Sequence, residues 1–363
     1  MSYFIGDLVD AVEVQTGLNT MFANATDPAT ARKVPFLQFL LNPMNRGGLQ
    51  QSIVIGNGQK RTVQVTYDQE VDQARVESNA TNPTCTDESY TDPNNYQDYT
   101  IDTGVNRKLG FTFSQDDLET AKVTTGEYFT RVLYKHLLAL EVAVNDKEAA
   151  AAVLLTGAYS DDAVDWATDE SDVSITNDEL IIKTRKDNSS DPYPYTARQL
   201  REAIEYTGYS ANPFIFSGTT LKSWSLDGQT FAAADYGIDL EKSFNNWGFA
   251  AMYDRGIATA FGDQSDFLIV QPGALQLLAF TKSDWTAEIP NVQMGANYYK
   301  TVVFCPRTGL PVDMVLTDNC GTISVKLYAT TSLVGLPTDM FHPDGPYDGV
   351  TYVNKGTVTN VTA

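Results

Sequence analysis

Residues 124–157 read TTGEYFTRVLYKHLLALEVAVNDKEAAAAVLLTG, and their spacing predicts one long helix. Phe129, Val132, Leu133, Leu137, Leu140, Val144, Ala151 and Leu155 recur at three- and four-residue steps, which places them on one face. Thr124 and Glu127 have the capping-box spacing, so two side chains are at hand for the orphan amides of the first turn. Glu127 and Arg131 make a favourable i, i+4 pair on a second row that continues to Lys135. The alanine run 149–152 is a strong helix former, and Gly157 is a natural stop. At 1.5 Å per residue the rod is about 45 Å long. Alone, it suits the core of many α/β enzymes; its neighbours distinguish it.

Immediately upstream, Asn106 to Phe113 alternates, with Arg107, Leu109, Phe111 and Phe113 on one side, which is strand periodicity. Ser114 and Asp117 then mark a short helical turn. The order is therefore strand, short helix, long helix. Further upstream, Ile53, Val54 and Ile55 lead into Gly56-Asn57-Gly58, a strong turn. Val63, Val65 and Tyr67 alternate as an outgoing strand, and Tyr96, Tyr99 and Ile101 fit a returning one. From Asp68 to Asp98 there are eight acids and one base, Arg75, with almost no apolar pattern. A segment of about 30 residues without a core of its own does not belong inside a compact domain. It is either disordered or a long hairpin that orders against a neighbour.

Residues 1–51 have the character of an arm. Phe4, Leu8 and Val12 form a short amphipathic turn, and prolines at 28 and 43 break the segment. Phe36, Leu37, Phe39, Leu40 and Leu41 form an apolar patch that must be covered by this chain or by another. Past the long helix, an acidic run from Asp161 to Asp172 lacks the alternation of a calcium loop and suits a solvated loop. A helix is expected over Thr196–Gly208, a strand over Phe214–Phe216, a helix from Ser217, a strand over Asp266–Gln271 and a helix over Pro272–Phe280. Val302–Phe304 is a further strand. Val312–Leu316 and Thr322–Tyr328 flank Asp318-Asn319-Cys320-Gly321, a hairpin signal. The tail from Thr338 is rich in proline, aspartate and glycine before a Thr/Val-rich end, and suits a strap.

The formal net charge is −21, which argues against a nucleic-acid reader, since such a protein needs a basic face. An acidic lining could still enclose nucleic acid without gripping it. The three cysteines, Cys85, Cys305 and Cys320, show no disulfide framework or zinc spacing and fit a reducing compartment. Met1–Val12 lacks a basic n-region, so no secretory signal is expected, and no apolar run approaches a membrane span. The two histidines, His136 and His342, are far apart and make a poor metal site. Gly56-Asn57-Gly58 lacks the third glycine of a dinucleotide fingerprint, and neither a G-x-S-x-G nor a Walker-type loop occurs. Asp339, Asp344 and Asp348 could hold calcium in the tail but suit solvated turns better. No catalytic, cofactor or metal site is expected.

The order of a hairpin with a polar tip, the strand NRKLGFTFSQDDLETA, the long helix, a mixed middle region containing NPFIFSGTTLKSW, and a closing β hairpin resembles the HK97-type major capsid proteins of tailed bacteriophages. The resemblance implies an α+β fold with an N-terminal arm (1–51), an extended loop (52–105), a peripheral domain with the spine helix (106–157), an axial domain (158–299), peripheral closing strands (300–337) and a C-terminal strap (338–363). It implies a structural subunit and not an enzyme, assembling as pentamers and hexamers of an icosahedral shell around double-stranded DNA. It also implies a virion location, assembly in the host cytoplasm, non-specific DNA contact and no membrane. Scaffolding, portal and possible decoration proteins would be partners; because the arm reaches the hairpin within about fifty residues, any scaffold would be a separate protein. Contacts between subunits are expected at Phe36 and Phe39, at Lys60, Arg61, Glu70, Asp72, Arg75 and Glu77 of the hairpin, and at Arg107 and Lys108. The alternatives are an encapsulin-type compartment around a cargo enzyme, a tail or surface-layer protein, and a two-domain hydrolase with an acidic cleft.

Overall fold

The computed structural model describes residues 11–23, 34–41, 50–54, 60–68, 94–102, 106–114, 125–155, 173–176, 179–185, 214–218, 250–262, 266–270, 275–281, 298–319, 322–335 and 353–361. The chain divides into two units. The first comprises Met1–Leu41, Asp102–Glu148 and Leu277–Leu333; the second comprises Asn42–Ile101, Ala149–Gln276 and Val334–Ala363.

The first unit is built on the long helix, here α3 (Thr125–Leu154). Phe129, Leu133, Leu137, Leu140 and Val144 are buried as their spacing requires, whereas Ala151 is half-buried and Leu155 is exposed. Ala149 and Ala152 take the buried positions there. Arg131 and Lys135 stand exposed on the outer row. The capping residue Thr124 and the short helix after Ser114 lie outside the described residues.

Strand β4 (Asn106–Ser114) runs antiparallel to β13 (Thr322–Gly335), from Thr322↔Ser114 to Thr330↔Asn106. β13 also pairs with β12 (Pro311–Asn319), which pairs with β11 (Tyr298–Phe304). Strand β10 (Leu275–Phe280) completes this five-stranded sheet beside β13. Val312, Met314 and Leu316 on β12, and Val325, Leu327 and Ala329 on β13, alternate into the core with the two-residue period of a pleated strand. Gly110 of β4 lies so close to β13 that a Cβ there would fall 2.9 Å from the Val325 carbonyl oxygen.

Within the span Pro272–Phe280, expected as a helix, Leu275–Phe280 form a strand. Leu275, Leu277, Leu278 and Phe280 are all buried. A short apolar run has no polar face to reveal its period, so pairing with β13 decides its state.

The N-terminal segment is not a free arm within the described residues. It contains α1 (Ala11–Ala23) and α2 (Pro35–Leu41). Leu18 of α1 is fully buried, and a Cβ at Gly17 would meet Thr130 Cγ2 of α3 at 3.1 Å, so the glycine permits a close helix crossing. Gln15 covers the edge strand β11 in an unusual way. Its Nε2 donates to the Phe304 carbonyl at 3.1 Å, and its Oε1 accepts from the Phe304 amide at 3.0 Å. The carboxamide stands in for the backbone of a missing strand and closes part of an otherwise open edge.

In the second unit, β1 (Gln50–Val54), β2 (Lys60–Asp68) and β3 (Asn94–Asp102) form a three-stranded sheet in that order. β1 and β2 are antiparallel, from Gln50↔Thr66 to Val54↔Thr62. The outgoing and returning strands read from the alternation are therefore present; the turn 55–59 and the tip 69–93 lie outside the described residues. A six-stranded sheet follows the order β5 (Val173–Thr176), β6 (Glu179–Arg185), β14 (Val353–Val361), β9 (Phe267–Val270), β7 (Phe214–Ser217) and β8 (Ala250–Tyr253). All four residues of β9 are buried, as suits an internal strand.

Residues 353–361, within the segment expected as a strap, form a strand of this sheet. β14 lies inside this sheet, parallel to β6 and antiparallel to β9. Its Thr/Val alternation supplies strand propensity, and two partners satisfy its backbone. A short helix, α4 (Arg255–Phe261), was not foreseen. Asp254 Oδ1 accepts from the amides of Gly256 at 2.7 Å and Ile257 at 3.2 Å, and Gly262 ends the helix at φ 80°. The helix expected over Thr196–Gly208, the one from Ser217 onward and the acidic run 161–172 lie outside the described residues.

Candidate functional site

The buried face of α3 is interrupted by polar residues. Glu141, Asn145 and Glu148 follow one another at steps of four and three, so they form a row on the helix, and all three are buried. Each holds a different element of the first unit.

Glu141 holds the β11–β12 loop, residues 305–310. Its Oε1 accepts from the Thr308 amide at 3.1 Å and from the Thr308 hydroxyl at 2.8 Å. Its Oε2 lies 3.7 Å from Arg307 Nε, an ion pair with little access to water. Burial lifts the Glu141 carboxyl above its ordinary value, against the opposing pull of Thr308 and Arg307. Cys305 in the same loop is buried, and burial, helped by the charge of Glu141, pushes its thiol well up. That thiol is a packing group and not a nucleophile. The loop closes on itself through Cys305 N to Leu310 O at 2.9 Å and Gly309 N to Cys305 O at 2.8 Å, with Gly309 at φ 72°.

Asn145 holds α2. Its Oδ1 accepts from the Leu37 amide at 3.0 Å. Val34 precedes the helix, and its carbonyl accepts the first helical bond, from Gln38 at 3.0 Å. A valine has no side-chain acceptor for the first-turn amides, so α3 supplies one. Glu148 and Lys147 hold β13. The Thr331 hydroxyl donates to Glu148 Oε1 at 2.5 Å. Lys147 Nζ sits 3.0 Å from the same oxygen and donates to the Thr331 carbonyl and hydroxyl.

Of the surface positions expected from the sequence, Phe36 and Phe39 are 0% and 6% exposed and pack inside the chain. The patch they belong to is covered within this chain. Lys60 and Arg61 lie on β2, while Glu70, Asp72, Arg75 and Glu77 lie outside the described residues. Arg107 and Lys108 are exposed at the start of β4, with Lys108 Nζ 5.6 Å from the centre of the Tyr328 ring. Among the described residues no strand pairs with the other edge of β4. Arg107 and Lys108 thus stand next to each other on a strand whose other edge is unpaired among the described residues.

His136 is a packing residue. Its Nδ1 donates to the Val132 carbonyl at 2.8 Å, and its ring lies 4.4 Å from that of Phe111 on β4. Among the described residues, no group of three or more His, Cys, Asp or Glu is placed to hold a metal ion, and no helix is long and apolar enough to cross a membrane. One signal in the sequence points to this polar row. Glu141 and Glu148 fall four residues after Leu137 and Val144, inside the apolar face.

No protein-family model matches the chain, and no curated protein matches it. Several solved phage capsid structures do. The chain is similar to a structure titled "Cyanophage A-1(L) capsid asymmetric unit", with 12% identity and a TM-score of 0.43 over 91% of this chain and 94% of that one. It is similar to "The capsid of Myoviridae Phage XM1", with 11% identity and a TM-score of 0.44 over 90% and 92%. It is also similar to "Capsid structure of Staphylococcus phage Andhra", with 14% identity and a TM-score of 0.39 over 89% and 87%.

Proposed function

We propose that the chain is an HK97-type major capsid protein of a tailed bacteriophage, a structural subunit of the virion. Copies would assemble in the host cytoplasm as pentamers and hexamers of an icosahedral shell around double-stranded DNA. The observation that carries this proposal is the arrangement of elements. The five-stranded sheet of β4 and the closing strands accompanies a 30-residue helix. The separate sheet β1–β2–β3 has its second and third strands joined by residues 69–93, which hold too few apolar side chains for a core of their own. An acidic chain suits a container whose contents must stay mobile, because like charge keeps phosphate off the wall. DNA contact would be non-specific; scaffolding, portal and decoration proteins would be the other partners.

The hairpin tip gives the test. Replacing residues 70–92 by a short turn should leave the melting temperature within a few degrees, because little apolar area is lost. Assembled particles should nevertheless become scarce. Each exposed ion pair made by the tip, for example with Arg107 or Lys108 of an adjacent copy, is worth only about 0–1 kcal/mol. Such small terms recur at every interface of a shell. Both quantities are measured on one preparation. Loss of the folded subunit would place the tip in an internal core, and undiminished particle yield would show that it joins nothing.

A further inference from the structure

The loop of residues 305–310 rests on a carboxylate that is only half satisfied. Glu141 is fully buried, and its Oε1 takes both donors of Thr308. Its Oε2 is buried without a hydrogen bond. Arg307 Nε stops 3.7 Å away, beyond hydrogen-bonding distance. A buried carboxylate oxygen with no donor costs more than the neutral acid in the same place, because it is the charge that burial penalises most. Arg307 pulls toward the charged form through its guanidinium and its backbone, but less strongly than burial pulls against it. The other titratable group of the loop that meets Glu141 is the Cys305 thiol, whose own charged form is disfavoured by burial and by Glu141. On α3, Lys147 and Glu148 lie about 10 Å along the axis and are bound to Thr331. His136 is turned toward Phe111, and α2 (PFLQFLL) carries no ionisable side chain.

We propose that this loop is a proton-linked clasp: it closes on Glu141 with uptake of a proton by that carboxyl, and it is held more firmly in mildly acidic than in neutral or alkaline solution. Opening returns Glu141 to water and to its ordinary value of 4.5, whereas the closed loop holds it above that value. Between the two values the closed form carries more protons than the open one. Closure therefore strengthens as pH falls through this window and weakens as pH rises through it. Below 4.5 both forms are protonated and the dependence ends.

Hydrogen exchange of the full-length protein tests this. Protection factors, corrected for intrinsic exchange, are followed for the Thr308 and Gly309 amides, with the Gly262 amide at the end of α4 as a control. On going from about pH 5 to about pH 8, loop protection should fall relative to the control, by no more than about tenfold per pH unit for one proton. Glu141→Gln keeps an acceptor for Thr308 but cannot titrate, and it should abolish the excess dependence. A flat wild-type profile, or an unchanged slope in Glu141→Gln, overturns the proposal. Thr308→Val serves if Glu141→Gln does not fold. It removes a donor that favours the charged carboxylate, so the midpoint should move to higher pH; a midpoint that stays put also overturns the clasp.

Discussion

Lys147→Met is expected to cost the fold about 3–5 kcal/mol, the usual loss when one partner of a buried ion pair is removed. Glu148 has a side chain only 1% exposed, and Lys147 lies 3.0 Å from its Oε1. Without the ammonium the carboxylate keeps only the Thr331 hydroxyl as a named donor, and water cannot reach it. The pair is not expected to be worth that much in itself, because desolvating both charges offsets most of their attraction. Replacing the whole group, Lys147→Met with Glu148→Leu and Thr331→Val, should therefore recover most of the loss. Urea unfolding of the single and triple variants separates the two statements. A harmless Lys147→Met would show that the carboxylate has other support, and a triple variant as weak as the single one would show that the charges themselves hold α3 to β13.

Asn145→Leu should cost about 1–3 kcal/mol, the desolvation of a buried amide left without an acceptor. The amide is that of Leu37 in α2, which bonds to Asn145 Oδ1. Leucine removes the acceptor without adding a polar group. A second change makes the prediction specific. Val34 stands just before the helix and is nearly fully buried. Val34→Thr is close in shape and adds an acceptor at the position where threonine caps, so in the Asn145→Leu background it should restore about 1 kcal/mol. In the native background it should restore little, because the amide is already paired. Equal effects of Val34→Thr in both backgrounds, measured as a double-mutant cycle, would contradict the capping role.

The long helix, β4, the two outer strands of the polar-tipped hairpin and the β12–β13 hairpin were legible because their signals are local. Alternation, three-and-four spacing and turn residues act within a few positions. Where the outcome depends on a distant partner, the sequence was silent or misleading. Leu275–Phe280 fits a helix or a strand, and β13 settles it. The Thr/Val tail reads as strand-forming, but nothing local says that it enters a sheet between β6 and β9. The prolines at 28 and 43 suggested an extended arm, yet Pro35 sits at the first position of a helix, where its missing amide costs nothing. The polar row of α3 is the extreme case. Asn145, Glu141 and Glu148 reach partners 108, 167 and 183 residues away in sequence. A buried glutamate on an apolar face signals that a partner exists without saying which.

These contacts also bear on the proposed function. On the function proposed above, the chain would have to hold one shape while its edges bind neighbours, so its internal register would be set by something more specific than apolar packing. A row of hydrogen-bonded side chains that accepts only one placement of a loop, a helix and a strand supplies that specificity. On that proposal, the contacts with neighbours would include the hairpin and the edge of β4 that carries Arg107 and Lys108, which no strand pairs with among the described residues.

The most direct measurement is negative-stain electron microscopy of the purified chain at high concentration. Closed shells with icosahedral outlines, built from five- and six-membered capsomers, are the predicted result. Folded monomers that never associate, or tubes and flat sheets in place of closed particles, would contradict it.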